Sequence, residues 1–221
     1  TIKNMEQIKF SLYNSVASKE KLDISHIDYC DMISKGKFED IVTQARANKK
    51  DKEKYKTFKS KMPCITGSAV MKNGEKTKAN IHQMNGLIVI DIDENVSPEK
   101  VVKINKDQYT FIAHRSFGGD GLCIFVKINP NKFLESFIDL GQYYWDNYEL
   151  IIDPSCKNPN RLRYLSYDPH LYINESSKKF VAKTKVKNKR KKENFIFVKD
   201  DFGEIINKVK DIDICQDDYK R

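Results

Sequence analysis

Gly86-Leu87-Ile88-Val89-Ile90-Asp91-Ile92-Asp93 is an apolar, largely β-branched run that ends in two acids one residue apart. Leu87 to Ile92 reads as a buried strand. Side chains on a strand alternate with period two, so Asp91 and Asp93 share a face. Two carboxylates about 7 Å apart on an apolar strand repel each other unless a cation lies between them. A hard divalent ion with oxygen ligands, Mg²⁺ or Mn²⁺, suits that spacing. The other reading is a strand end whose acids solvate a turn, which Glu94-Asn95 continues.

The flanking sequence predicts what this strand belongs to. Ser97-Pro98-Glu99 supplies an N-cap, a Pro at the first helical position and an acid in the first turn, so a helix runs to about Asn105. Tyr109 to Arg115 and Leu122 to Ile128 read as strands, and Asn129-Pro130 caps a helix reaching about Tyr148. Glu149 to Ile152 and Leu162 to Ser166 supply further strand. The order is β-α-β-β-α-β, an RNA-recognition-motif-like split βαβ unit. In such a sheet the first strand is central, flanked by the third and the last. Asp153, which ends the run Leu150-Ile151-Ile152, then meets Asp91 and Asp93 at one sheet end. Three carboxylates there suit two-metal phosphoryl transfer, whereas an Asp-Pro turn is the plainer reading of Asp153.

Two further stretches point toward phosphate. Ser116-Phe117-Gly118-Gly119-Asp120-Gly121 joins two strands, and its glycines let backbone N–H groups approach an anion, although a hairpin needs glycines anyway. Arg161 and Arg163 alternate on a strand and so face one side together. Their forks suit triphosphate oxygens, or equally a salt bridge to Asp153 or Asp168.

Upstream, Gln7 to Tyr13 alternates as a strand. Ser25 to Lys35 and Phe38 to Ala47 have helical spacing around a stop at Gly36. A third helix spans Lys52 to Lys61 until Pro63, Cys64 to Val70 reads as a strand and Asn73-Gly74 as a turn. The expected fold is α+β. A catalytic domain over 1–177 comprises an N-terminal αβ part (1–80) and the RRM-like metal-binding core (81–177). A basic linker (178–193) follows. Residues 194–221 carry helical spacing at Phe202, Ile205, Ile206 and Val209, as a helical appendage or the start of a further domain.

The formal net charge of +9 has an address. Lys178 to Lys192 holds nine basic residues and no acid, leaving 31 basic against 31 acidic residues elsewhere. This segment, with Lys189, Arg190 and Lys191 at its densest point, reads as a solvated linker that attracts polyanions. Arg46 to Lys61 has eight positive and two negative residues at helix-forming composition. Lys50, Lys54, Lys56 and Lys59 are its candidate phosphate contacts, against the plainer reading of a soluble helix face. Five scattered cysteines, none in a C-x-x-C pair, argue against a disulfide framework or a structural zinc site and for reduced thiols in a cytoplasmic protein. No apolar run approaches the roughly 20 residues of a membrane span, and no signal peptide is visible. The start at Thr1 reads as a processed chain or a piece of something longer.

From Ile8 to Asn174 the chain resembles the archaeo-eukaryotic primase superfamily, in particular the primase-polymerase-like N-terminal domain of phage and mobile-element replication proteins (VirE-type). The likeness rests on Tyr55-Lys56-Thr57-Phe58-Lys59 to Pro63-Cys64-Ile65-Thr66 and on Gly86 to Asp93. It continues through Ala113-His114-Arg115-Ser116 with Gly119 and Gly121, then Asp153-Pro154-Ser155-Cys156, Asn160-Arg161-Leu162-Arg163 and Ser166-Tyr167-Asp168-Pro169. The resemblance implies that Asp91, Asp93 and Asp153 hold the catalytic Mg²⁺ or Mn²⁺. It also implies nucleotide contacts at His114, Arg115, Ser116, Gly119, Gly121, Cys123, Arg161 and Arg163. The family's phosphate-binding His or Lys falls on Cys123, so His114, Arg115 or Arg163 must substitute, or activity is weak. The expected function is template-directed nucleotidyl transfer during replication initiation, with single-stranded DNA, nucleoside triphosphates and a helicase domain or protein as partners. The alternative is a non-catalytic single-stranded nucleic-acid-binding module that kept the fold.

Overall fold

The computed structural model describes residues 7–185. The described residues are mixed α+β, with antiparallel sheets and five α-helices among them. Its first half contains β1 (Lys9–Tyr13), β2 (Leu22–Ser25), α1 (His26–Ser34), α2 (Glu39–Ala47), α3 (Lys52–Ser60), β3 (Cys64–Thr66), β4 (Ala69–Met71) and β5 (Ile81–Met84). The second half contains β6 (Leu87–Ile92), α4 (Pro98–Asn105), β7 (Thr110–Arg115), β8 (Leu122–Lys127), α5 (Phe133–Tyr148), β9 (Leu162–Tyr164) and β10 (Tyr172–Ile173).

The helix starts follow from local chemistry. Ser25 and Asp28 close a capping box on α1, Asp51 accepts from Lys54 N–H at 3.0 Å at the start of α3, and Ser97 accepts from Lys100 N–H at 3.3 Å ahead of Pro98 in α4. α5 ends where Glu149 turns left-handed at φ 53°.

Two four-stranded sheets carry the architecture, in the orders β2-β1-β3-β9 and β10-β7-β8-β6, with β4-β5 as a separate hairpin pair. The second sheet is covered on both faces, which is why β6 and β8 read as nearly continuous apolar runs rather than alternating ones. Ile88, Ile90 and Ile92 of β6 join Leu122, Ile124 and Val126 of β8 under Ile104 of α4 and Leu140 and Tyr144 of α5. Leu87 and Val89, with Cys123 and Phe125, face the other way onto Phe10, Tyr29, Ile33, Val42, Ala45 and Ile65. Asp91 therefore belongs to the face that meets the first sheet and helices α1 and α2.

Several expectations need correction. Glu149 to Ile152 forms no strand; the run passes β6 with one backbone bond, Asp153 N–H to Asp91 C=O at 2.9 Å. Within the sheet β6 has β8 as its paired neighbour and lies at the edge, while β8 is central. The strand expected over Leu162–Ser166 is β9, and it pairs with β3 in the first sheet. Cys64–Val70 is two short strands, and β2, β5 and β10 were not expected at all.

The basic stretch begins as docked chain rather than linker. Phe180 is 8% exposed, its N–H bonds Lys127 C=O at 2.8 Å, and Lys183 and Thr184 N–H groups bond Asp139 at 2.6 and 3.0 Å. Residues up to Thr184 form one compact unit. Lys189, Arg190, Lys191 and the helical segment 194–221 lie outside the described residues. Among those described, no helix is long and apolar enough to cross a membrane.

Candidate active site

Leu87, Val89 and Asp91 succeed one another on one face of β6, so the apolar series becomes acidic where the strand leaves the core. Opposite Asp91 on β8 is Cys123, and opposite Cys123 on β7 is His114. This row lines a cleft of about 340 Å³ that also contains Asp93, Asp153, Ser116, Gly121, Arg161 and Arg163. All three carboxylates read from the sequence thus share one cleft with both alternating arginines.

The chain after α5 is fitted tightly to the end of β6. Asp153 Oδ1 accepts from Ser155 N–H at 2.8 Å, its other oxygen takes the Ser155 hydroxyl, and a single 3₁₀ turn, Pro154–Lys157, follows. That turn sets Cys156 Sγ to accept from Asp91 N–H at 3.3 Å and from Arg163 Nη2 at 2.9 Å. One ligand atom each from Asp91, Asp153 and Cys156 lies within 4.8 Å of the others. Asp93, one residue beyond β6, is exposed and faces the same cleft without joining that trio. Asp91, Asp93 and Asp153 thus line one cleft, and Cys156 comes beside Asp91 and Asp153 because the 153–157 turn bonds to the Asp91 backbone.

Arg163 is 5% exposed and reaches across from β9. Its Nε lies 3.0 Å from Asp91 Oδ2 as an ion pair, although the N–H direction does not make it a hydrogen bond. Burial pushes the Asp91 carboxyl up; Arg163 pulls it down, and Asp153 and Asp93 push it up again, leaving it above the usual carboxylate range. Burial also opposes the charge on Arg163, but Asp91, Cys156, Cys123 and Asp153 together outweigh it, so the guanidinium is held even more firmly protonated. Arg161 reaches Asp153 only at 3.8 Å and is largely exposed.

The other expected nucleotide contacts divide. His114 is 2% exposed, and its Nδ1–H donates to Arg115 C=O at 2.8 Å, so Nε2 accepts from Tyr29 Oη at 2.7 Å. Burial lowers its pKa, and the ring is a neutral, fully bonded core group rather than a substitute cation. Arg115 donates to Val96 C=O and Asp120 C=O at 3.1 and 3.0 Å and does not line the cleft. Cys123 is buried and its thiol is pushed far up by desolvation, so it stays protonated beside Asp91.

The Gly-rich turn is held for steric reasons. A Cβ on Gly121 would lie 2.0 Å from Ile92 O, and Gly119 has φ +87°. Arg46 anchors the turn, donating to Ser116 C=O and Tyr167 C=O at 3.0 Å each, Ser166 Oγ at 3.1 Å and Phe117 C=O at 3.2 Å.

Sequence reasoning missed Arg46, Lys49, Tyr55, Tyr164 and Cys156 as parts of this site. Arg46, Lys49 and Tyr55 fall in the basic stretch Arg46–Lys61, whose charge was the available signal; Cys156 stood in the stretch Asp153-Pro154-Ser155-Cys156 of the family resemblance, with no role attached to it. Lys49 pairs with Asp120, and Lys59 sits 4.9 Å above the Tyr164 ring, both at the cleft. Of the four lysines expected to contact nucleic acid, Lys59 lines the cleft, and Lys50, Lys54 and Lys56 are exposed outside it.

A family model described as BT4734-like, N-terminal domain, matches residues 57–173. The chain belongs to that family. The matched span runs from within α3 to the end of β10, so the family domain includes the three carboxylates, Cys123, Cys156 and both cleft arginines. Lys49 and Tyr55 precede it. No curated protein and no solved structure matches the chain.

Proposed function

We propose that the cleft is the nucleotidyl-transfer site of a template-directed primase-polymerase of the archaeo-eukaryotic type, built on an RRM-like split βαβ core. The observation that carries this reading is the convergence of Asp91, Asp93 and Asp153 on one cleft whose rim supplies Lys49, Lys59 and Arg161. Supporting the core assignment, β6 has β8 on one side and the Asp153 peptide on the other.

The donor set fits a hard divalent ion. Asp91 has Oδ2 on Arg163 and also accepts from the Cys123 thiol, while Asp153 and Asp93 add carboxylate oxygens at the cleft. Mg²⁺ or Mn²⁺ held there would lower the pKa of an attacking 3′-hydroxyl and stabilise a pyrophosphate leaving group. The chain's own contribution is positioning. Lys59 and Arg161 present charge to the triphosphate, and Arg163 offsets one of the three negative charges at the cleft. Single-stranded DNA would be the template, nucleoside triphosphates the substrate, and a helicase domain or protein a partner.

A second reading, a non-catalytic nucleic-acid-binding module, is favoured by two observations: Arg163 already neutralises Asp91, and a buried neutral thiol stands where the family resemblance expects a cation. Labelled-nucleotide incorporation on a single-stranded template separates the two. The proposal expects incorporation that EDTA abolishes and that Asp93→Asn reduces to background. It also expects Asp93→Asn to melt in EDTA no lower than the parent, with a smaller gain from Mg²⁺. A variant that melts lower in EDTA, responds equally to metal and loses no activity refutes it.

A further inference from the structure

We propose that Asp91, Asp153 and Cys156 form a binding site for a thiophilic divalent cation of the Zn²⁺ class, with a donor set different from that expected for Mg²⁺ or Mn²⁺. It shares Asp91 and Asp153 with the site above but does not require nucleotidyl transfer.

Three features carry it. The first is proximity. The two carboxylate oxygens and Sγ lie within 4.8 Å of one another, and ligand atoms around a tetrahedral zinc are about 3.5 Å apart, so side-chain rotations of about 1 Å close the set. The backbone is already fixed by the Asp153 N–H to Asp91 C=O bond of 2.9 Å.

The second is the sulfur's surroundings. Cys156 is 1% exposed, yet two N–H donors, from Asp91 and Arg163, are directed at Sγ. An apolar buried thiol needs neither. A metal-bound thiolate needs both, as outer contacts that stabilise its negative charge.

The third is Arg163. Its Nε, on a side chain 6% exposed, lies 3.0 Å from Asp91 Oδ2 as an ion pair without a hydrogen bond, so one cation stands against the acids of the trio. Once Cys156 gives up its proton to the metal, two carboxylates, one thiolate and this guanidinium sum to a net charge of about −2, which one divalent ion neutralises. Sulfur selects a borderline-soft ion over Mg²⁺. On binding, the Cys156 S–H proton is released to solvent and the sulfur–metal bond replaces it. Three protein ligands leave a further position for water, and an ion there would compete with Mg²⁺ or Mn²⁺ for Asp91 and Asp153.

The test uses the full chain with Cys215→Ser, so that only cysteines inside the described fold remain. Zn²⁺ X-ray absorption should show one sulfur at about 2.3 Å with oxygen neighbours. Titration with Cd²⁺ should produce a thiolate-to-metal charge-transfer band saturating at one equivalent. Cys156→Ser should remove the band, Asp153→Asn should weaken binding at least tenfold, and Cys123→Ser should keep the band. An oxygen-only zinc shell, absence of the band, or a band that survives Cys156→Ser overturns the proposal. If Cys156→Ser does not fold, the zinc shell of the parent alone decides. Loss of Mg²⁺-dependent incorporation with the cadmium band intact would count against nucleotidyl transfer and not against this site.

Discussion

Replacing Arg163 with Met isolates the central interaction of the cleft. The Nε–Oδ2 separation is 3.0 Å with the side chains 6% and 21% exposed. At an effective dielectric of 20, unit charges at that distance attract by about 5–6 kcal/mol. Desolvation offsets part of this, and removing one partner of a buried pair costs about 3–5 kcal/mol. A second route gives a similar ceiling. Without Arg163 the folded Asp91 favours its protonated form, while the unfolded residue, with an ordinary value of 3.8, remains ionised at pH 7. Holding the proton across that gap costs about 4 kcal/mol. For a chain of this size each kcal/mol shifts Tm by about 2–4 °C, so Arg163→Met should melt about 6–20 °C below the parent at pH 7.

The sign with pH follows from linkage. Asp91 has a folded pKa raised above its unfolded value, and Arg163→Met raises it further. Its share of stability is therefore complete below the unfolded value of 3.8 and is lost as pH rises through the folded pKa. The variant's deficit should shrink between pH 7 and pH 4. Asp91→Asn in the Arg163→Met background should recover at least half of the loss at pH 7, since no buried charge is then left alone. Thermal melts of the parent, both single variants and the double variant, each at pH 4 to 7, give the cycle. A single variant within about 1 kcal/mol of the parent, or a double variant no more stable than Arg163→Met, refutes the reasoning.

Three other expectations follow from named contacts. His114 is held neutral, with its folded pKa below the ordinary value of 6.5, so its stability is present above 6.5 and lost as pH falls through the folded pKa; His114→Gln should lose less Tm than the parent between pH 7.5 and 5, and equal losses would contradict this. Gly121→Ala should destabilise by at least about 1–3 kcal/mol in urea melts, because its Cβ would meet Ile92 O at 2.0 Å, whereas Gly118→Ala meets only Tyr55 Oη at 3.2 Å and the Lys49 side chain and should cost far less. Cutting the chain after Lys185, rather than at Lys178, keeps Phe180 in the core and should flatten the salt dependence of single-stranded DNA binding without lowering Tm; an unchanged slope would mean that the basic residues removed make no phosphate contacts.

What could be read from the chain divides along the range of the interactions. The helix at Ser97-Pro98-Glu99, the one opened by Ser25 and the strands Leu87–Ile92 and Leu122–Lys127 are specified by near neighbours, through caps and apolar runs, and were legible. So was the cleft-facing placement of Asp91, Asp93, Arg161 and Arg163, because period two settles which side chains share a face. The failures are of pairing. Nothing local says that Leu162–Tyr164 pairs with Cys64–Thr66 instead of joining the other sheet, since the choice depends on which apolar face is left uncovered. Nor could sequence show that Asp168, an expected partner for an arginine side chain, instead accepts backbone N–H groups from Arg115 and His170 at 2.7 and 2.9 Å. Short strands of two to four residues, such as β2 and β10, carry too little periodicity to register.

The position of β9 connects those failures to the chemistry. Had Leu162–Tyr164 paired beside β6, Arg163 would have shared a sheet with Asp91, and its guanidinium would have stood beside the carboxylate in a register fixed by backbone bonds. In the first sheet it is delivered from the opposite layer, opposite Ile65, and spans the gap to touch Val89 C=O, Cys156 Sγ and Asp91 together. The arginine thus ties the two layers at the point where the apolar face of β6 gives way to acid. Its charge is what allows a carboxylate to remain half-buried there at all, since an unpaired one would take up a proton instead. The packing of the two sheets and the charge state of the cleft are for that reason one problem: any change that lets β9 shift relative to β6 alters Asp91 before it alters the core.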